Sequence, residues 1–274
     1  MKIALLQMTS GIEPAANAAS IVAAVHDAAS AGAAMLFTPE MSGLIDRDRA
    51  RAAQVIMPEA LDPTLATVRE AARAHRLWVH LGSLAVRRDD GKWANRSFLI
   101  DDAGAIRARY DKLHLFDVDL PSGESWRESA AYTGGEKAVV ASSPLGPIGM
   151  TICYDLRFPD LFRALSDAGA RVLAVPSAFT RLTGAAHWHV LLRARAIEAG
   201  AFVVAAAQVG LHEDGRTTYG HSLVVDPWGE VLLDMSEAAD LGFAEIDPAR
   251  VAEVRERMPA LSHRRAIPPV EVMP

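Results

Sequence analysis

The feature that most narrows the fold of this chain is a rhythm. Apolar runs of strand length alternate with helical stretches almost from end to end. Residues 3–8 and 35–37 read as strands, and the Ala-rich stretch between them, about 14–31, reads as a helix. Asp62-Pro63 puts an N-cap before a Pro at the first helical position and opens a helix to about residue 73. Strands follow at 78–86 and 96–100, then a turn at Asp101-Asp102-Ala103-Gly104 into a strand at 106–110. The second half repeats the pattern, with strands at 148–153, 172–175 and 202–207 and helices at 159–168 and 185–199. A hairpin of 222–226 and 230–233 turns at Pro227-Trp228-Gly229. Such βαβ alternation predicts an α/β protein whose strands are covered by helices. No linker or repeat interrupts it, so residues 1–257 are expected to form one domain. Residues 258–274, with Pro259, Pro268, Pro269 and Pro274, are expected to form an extended tail.

Composition removes several function classes. Half of the 274 residues are hydrophobic and the formal net charge is −6, which suits a large core and disfavours nucleic-acid or membrane partners. There is no apolar run of ~18 residues for a transmembrane helix. Met1 to Met8 meets polar residues too early for a signal-peptide core and reads as the first strand. The single cysteine, Cys153, excludes an internal disulfide and a Cys-based zinc cluster, and fits a reducing cytoplasm. Without an export signal, the sequon Asn95-Arg96-Ser97 reads as chance.

Three segments carry reactive side chains where strands give way to loops, which is where α/β folds build sites. They are Phe37-Thr38-Pro39-Glu40-Met41, the run Tyr110-Asp111-Lys112-Leu113-His114-Leu115-Phe116, and the run from Gly149 through Cys153-Tyr154-Asp155-Leu156-Arg157 to Pro159. Cys153 closes a predicted strand and precedes a helix, the geometry that exposes a nucleophile and aims backbone N–H groups at an oxyanion. The helix N-terminus and a neighbouring cation are expected to favour its thiolate. Glu40, behind Pro39, suits a partly desolvated base that takes a thiol proton and returns it to a leaving amine. Alone, each residue has an ordinary reading: a small buried hydrophobe for Cys153, a loop charge for Glu40, a surface cation for Lys112.

Together the segments resemble the nitrilase superfamily of carbon–nitrogen hydrolases, in order and spacing, from Ile3 to about Ile246. The resemblance implies a four-layer α-β-β-α sandwich that pairs into at least a dimer. It implies Glu40 as general base and acid, Lys112 as oxyanion stabiliser, Cys153 as nucleophile and Glu128 as an additional carboxylate positioning substrate and Lys112. No metal or organic cofactor is implied.

The residues after Cys153 separate the branches. True nitrilases carry Trp next, where this chain has Tyr154; carbamoyl-amino-acid hydrolases carry two adjacent arginines where it has Leu156 and Arg157. Segments including Pro176-Ser177-Ala178-Phe179, Thr183-Gly184-Ala185-Ala186-His187-Trp188 and Tyr219-Gly220-His221-Ser222 resemble the deaminated-glutathione amidase branch and its omega-amidase sister. That resemblance implies a small-molecule substrate, the terminal amide of a 2-oxo acid, gripped by Arg157, Phe179 and Thr183 with Tyr154 and His114 nearby. Arg157 suits a carboxylate because its planar fork makes two parallel hydrogen bonds. Its ordinary alternative is an ion pair with Asp155 or Asp160. His189 departs from the Glu found after the His-Trp pair in eukaryotic relatives.

Other readings stay open on sequence alone. His114, His187 or His221 can serve as base in a Cys–His hydrolase. His187-Trp188-His189 is a His-x-His pair, but residues two apart on a helix do not share a face. Arg193, Arg195 and Glu198 read as an ion-paired helix face. Thr133-Gly134-Gly135-Glu136-Lys137 lacks the spacing of a phosphate-binding loop. A binding protein that kept the fold and lost the chemistry is the rival from another class.

Overall fold

The computed structural model describes residues 1–119, 123 and 125–273. Two six-stranded sheets dominate it. The first orders its strands Asp240–Glu245, Lys2–Gln7, Met35–Phe37, Trp78–Arg87, Trp93–Ile100 and Ile106–Asp111. The second runs Val231–Asp234, Leu223–Val225, Phe202–Ala205, Val172–Ala174, Gly146–Met150 and Val139–Ser143. Each has three parallel strands at its centre and antiparallel strands at both edges. Helices α1 (Pro14–Ser30) and α3 (Pro63–His75) cover the first sheet, with the short α2 (Arg49–Val55) between them in the chain. Helices α4 (Pro159–Asp167) and α5 (Arg181–Ala199) cover the second. The result is the four-layer α-β-β-α sandwich.

Strand alternation builds these layers. Ile3 and Leu5 point into the core between the sheets, with Met150 and Val172. Ala4 and Leu6 point the other way, onto Ile21 and Val25 of α1 and Val68 of α3. Burying each large aliphatic side chain contributes ~1.5–3 kcal/mol, so a one-residue slip that exchanged the two faces would be costly. Asp62 caps α3 as its sequence predicts, accepting the Leu65 N–H at 2.8 Å.

Of the expected boundaries that move, two bear on the site. Helix α5 begins at Arg181 rather than residue 185, because Thr180 caps it and Gly184 fits inside its first turns. A Cβ on Gly184 would stand 2.3 Å from the Tyr219 ring, so the glycine that weakens the helical pattern is what lets α5 pack there. The strand before Cys153 ends at Met150. Beyond it the chain stays extended, Thr151 and Cys153 donating their N–H groups to Ala174 and Pro176 at 3.1 and 2.9 Å. At Cys153 the backbone swings to φ +49° and enters a 3-10 turn, Cys153–Arg157.

Helix α6 (Ala249–Arg257) precedes the C-terminal tail, in which Ile267, Val270, Val272 and Met273 are exposed. Pro274 lies outside the described residues. No helix among the described residues is long and apolar enough to cross a membrane.

Candidate active site

Glu40 reaches its place through a tight backbone crossing. Past the strand Met35–Phe37, Thr38 donates its N–H to the His80 carbonyl at 3.0 Å, and the chain runs over Gly82. A Cβ on Gly82 would lie 2.1 Å from the Thr38 oxygen and 2.3 Å from the Pro39 oxygen. Only glycine permits that approach. Lys112 follows the strand Ile106–Asp111, its N–H held by the Asn95 carbonyl at 2.9 Å.

These two side chains are almost wholly withdrawn from solvent and meet. Lys112 Nζ donates to Glu40 Oε1 and to Glu128 Oε2, both at 2.9 Å. Asn95 Nδ2 donates to the same Glu40 oxygen at 2.9 Å, and the Ala178 N–H reaches Glu40 Oε2 at 2.9 Å. Glu128, in the turn Glu128–Ala130, is fixed by the Phe116 N–H at 2.7 Å. Cys153 lies near enough that the Glu40 carboxylate and the Lys112 ammonium both act on its thiol.

One cation here serves two carboxylates, which decides both protonation states. Burial works against the Lys112 charge, but Glu128 and Glu40 outweigh it and hold its pKa well above the lysine range. Burial pushes the Cys153 thiol up, Glu40 adds to the push, and Lys112 offsets only part of it. The resting group is therefore a thiol, not the thiolate expected from the helix end and cation. That expectation overlooked how Glu40 and desolvation outweigh Lys112.

A buried hub holds the Cys153 turn. Asp155 takes the Ile152 N–H at 2.9 Å and the Tyr110 hydroxyl at 2.6 Å. Its other oxygen takes the His114 N–H at 3.0 Å and lies 2.7 Å from His114 Nδ1. Arg195, expected on an ion-paired helix face, does pair with Glu198, and its guanidinium also grips the Leu156 carbonyl at 2.9 and 3.1 Å.

Glu40, Lys112, Glu128 and Cys153 open onto one cavity of about 700 Å³, and Tyr154, Arg157, Phe179 and Thr183 also line it. Arg157 pairs with neither Asp155 nor Asp160. Its guanidinium lies over the rings of Tyr154 and Phe179, 5.9 and 5.3 Å from their centroids, and contacts His187 Nδ1 at 3.2 Å. His114, expected near the substrate, is not among the residues that line the cavity. Its ring stacks on Phe158 with centroids 3.6 Å apart and is turned to Asp155, so it braces the turn from behind. The rival bases are likewise engaged elsewhere, His187 with Arg157 and His221 with Asp234.

The sequence reading missed Asn95, Asp155 and a cationic patch. Asn95 stands in the sequon just outside the expected strand 96–100, and only the observed strand Trp93–Ile100 takes it in. The patch is Arg47 and Arg216, lying 5.6 and 4.9 Å from the Trp126 ring, and all three line the cavity. They come from aperiodic segments and left no pattern to find.

The family model described as "Carbon-nitrogen hydrolase" matches residues 2–256. The chain belongs to this family. A deaminated glutathione amidase from Yersinia enterocolitica is 40% identical, over 97% of this hydrolase and 93% of its own length. The crystal structure of the C. elegans NitFhit protein superposes with a TM-score of 0.90 at 41% identity. The match covers 96% of this chain but only 65% of that longer one. A mutant amidase from Nesterenkonia sp. AN1, with acrylamide added at its active-site cysteine, superposes at 0.79 with 27% identity, covering 94% and 98% of the two chains. The hydrolase is thus an amidohydrolase acting on carbon–nitrogen bonds other than peptide bonds.

Proposed function

We propose that this hydrolase cleaves the amide of a 2-oxo acid, deaminated glutathione in particular, through a thioester on Cys153. The observation that carries the reading is the Glu40–Lys112 pair at 2.9 Å, which opens with Cys153 onto a cavity that Arg157 also lines. Glu40 takes the Cys153 proton as the sulfur attacks the amide carbon, so the buried thiolate never has to stand alone. The new oxyanion is met by Lys112 and the Tyr154 N–H, each such donor contributing about 3–4 kcal/mol to the transition state. Glu40 returns the proton to the departing nitrogen, the C–N bond breaks and the acyl group stays on sulfur. Water, losing a proton to Glu40, then releases the acid and restores the thiol. Glu128 holds Lys112 in place and keeps it protonated throughout.

Two cationic features support an anionic substrate with carboxylates. Arg157 rides on the same turn as Cys153 and suits the 2-oxo acid end. Arg47 and Arg216, on Trp126, suit a second carboxylate on the leaving group. The omega-amidase reading, in which the leaving group is ammonia, makes no use of that second pair. The deciding experiment compares kcat/KM for deaminated glutathione, 2-oxoglutaramate, a carbamoyl amino acid and a simple nitrile. Deaminated glutathione should rank first; a clear win for the carbamoyl compound rejects the assignment.

We further assign the enzyme to the cytoplasm and to a homodimer or larger homo-oligomer, with no nucleic-acid or membrane partner. The exposed apolar tail residues Ile267, Val270, Val272 and Met273 support packing on a partner subunit. Light scattering on a chain ending at residue 257 should show weakened association, and an unchanged mass refutes that role for the tail.

A further inference from the structure

His189, which the sequence marked as a departure, meets two partners apart from the residues that line the cavity. His189 Nε2 lies 2.9 Å from one oxygen of Asp234, and His221 Nδ1 lies 2.8 Å from the other. All three potential ligand atoms fall within 4.8 Å of one another. We propose that His189, His221 and Asp234 form a binding site for a divalent transition-metal ion of the zinc class.

The donor set fits that ion. Two imidazoles and a carboxylate are ligands that zinc takes readily, leaving a fourth position for water. A tetrahedral zinc with bonds of ~2.0–2.1 Å holds its ligand atoms ~3.4 Å apart. The ring-to-carboxylate separations of 2.8 and 2.9 Å need to widen by about half an ångström to reach that. On binding, the ion takes the place of the proton between each ring and Asp234. The ring protons move to the other imidazole nitrogens or to solvent.

The site is built from three elements and braced. His189 projects from α5, His221 from the link before the strand Leu223–Val225, and Asp234 ends the strand Val231–Asp234. His221 sits at φ +54°, an uncommon conformation for a residue with a side chain. It is held there by its N–H to the Ser236 carbonyl at 2.7 Å and by its own carbonyl, which accepts Trp188 Nε1–H at 2.8 Å. The Tyr219 ring stacks on it with centroids 4.4 Å apart, and Asp234 Oδ1 takes the Ser236 N–H at 2.9 Å. Supporting bonds of this kind orient ligands in metal sites.

The position gives the ion a route to the active site. Trp188, next to His189, packs on the cavity residue Phe179 with ring centroids 4.9 Å apart. An ion tying α5 to the Asp234 strand would stiffen that wall without entering the chemistry.

The test uses the full chain carrying Cys153→Ala, so that the reactive thiol cannot account for any metal bound. Chelator-stripped protein is titrated with Zn²⁺ by calorimetry and with Co²⁺ by visible absorption. One equivalent of Zn²⁺ should bind, raise the melting temperature and give tetrahedral d–d bands with Co²⁺. His189→Gln and Asp234→Asn should each weaken binding at least about tenfold, about 1.4 kcal/mol. A second arm needs no variant at these positions. Zn²⁺ should protect His189 and His221 from diethyl pyrocarbonate, read by mass spectrometry, while leaving exposed His26 reactive. Absence of binding, binding unchanged in either variant, or no selective protection overturns the proposal.

Discussion

Tyr110 donates its hydroxyl to Asp155 across 2.6 Å and so ties the strand that leads to Lys112 to the turn that carries Cys153. Asp155 is fully buried and accepts from both sides, which makes it the joint between the two halves of the site. Tyr110→Phe keeps the ring and removes one donor from a buried carboxylate, a loss of about 1–3 kcal/mol. Thermal unfolding should register that destabilisation. Turnover should fall about tenfold with KM little changed, because Lys112 and Cys153 lose their mutual register while the arginines do not. A shift in KM alone would show that the joint serves binding instead.

Cys153 offers a test of opposite signs. Burial and then Glu40 hold its thiol up, and Lys112 pulls it down. Glu40→Gln removes an anion beside the sulfur, so the thiol pKa should drop and iodoacetamide should alkylate it several-fold faster at about pH 8. Turnover should fall at least about 100-fold in the same variant, since proton transfer is lost. Lys112→Met should slow alkylation. If both substitutions slow it, the charges do not act on the sulfur as described.

The reactive trio was legible because each member stands just past a strand, where α/β folds build sites. Glu40, Lys112 and Cys153 follow the strands Met35–Phe37, Ile106–Asp111 and Gly146–Met150, at distances a sequence can show. The protonation state of Cys153 was not legible, because it depends on burial and on the opposed charges of Glu40 and Lys112, which only the fold brings together. The resemblance puts His114 near the substrate, but which way its ring turns depends on a distant residue, Asp155, which turns it away. The Arg47–Trp126–Arg216 patch rests on aperiodic segments brought together only by the fold.

Gly82 should tolerate no side chain. The added methyl of Gly82→Ala meets backbone oxygens of Thr38 and Pro39, which cannot rotate aside. Overpacking of this kind costs about 1–3 kcal/mol. The strain falls on the residues that deliver Glu40, so activity should fall at least about tenfold at a temperature where the variant remains folded. Wild-type activity and melting temperature together would mean that the crossing is looser than its geometry shows.

His80 should make the fold acid-sensitive. Burial lowers its pKa to about 3, while the unfolded chain protonates it near the ordinary value of about 6.5. Above that unfolded value the group is neutral in both states and contributes nothing. As pH falls below it the unfolded state gains a proton that the folded state refuses, and stability declines until the folded pKa is reached. The difference amounts to about 2 kcal/mol between about pH 7 and about pH 5. Urea unfolding should show that loss in the wild type and a clearly smaller one in His80→Gln.

Arg157 and Arg216 should separate the two ends of the substrate. Arg157 shares the Cys153 turn and faces whatever acyl group the sulfur receives; Arg216 lies over Trp126 and pairs with Asp214 at 2.9 Å. A charge-assisted hydrogen bond contributes about 1.5–3 kcal/mol, so losing one costs about tenfold or more in kcat/KM. Arg157→Met should therefore impair deaminated glutathione and 2-oxoglutaramate alike, because both carry the 2-oxo acid. Arg216→Met should impair deaminated glutathione alone, because only its leaving group bears a second carboxylate. Arg216→Lys keeps the charge and loses the fork, and should fall between. Equal losses on both substrates in Arg216→Met would place the leaving group elsewhere and return the omega-amidase reading to the front.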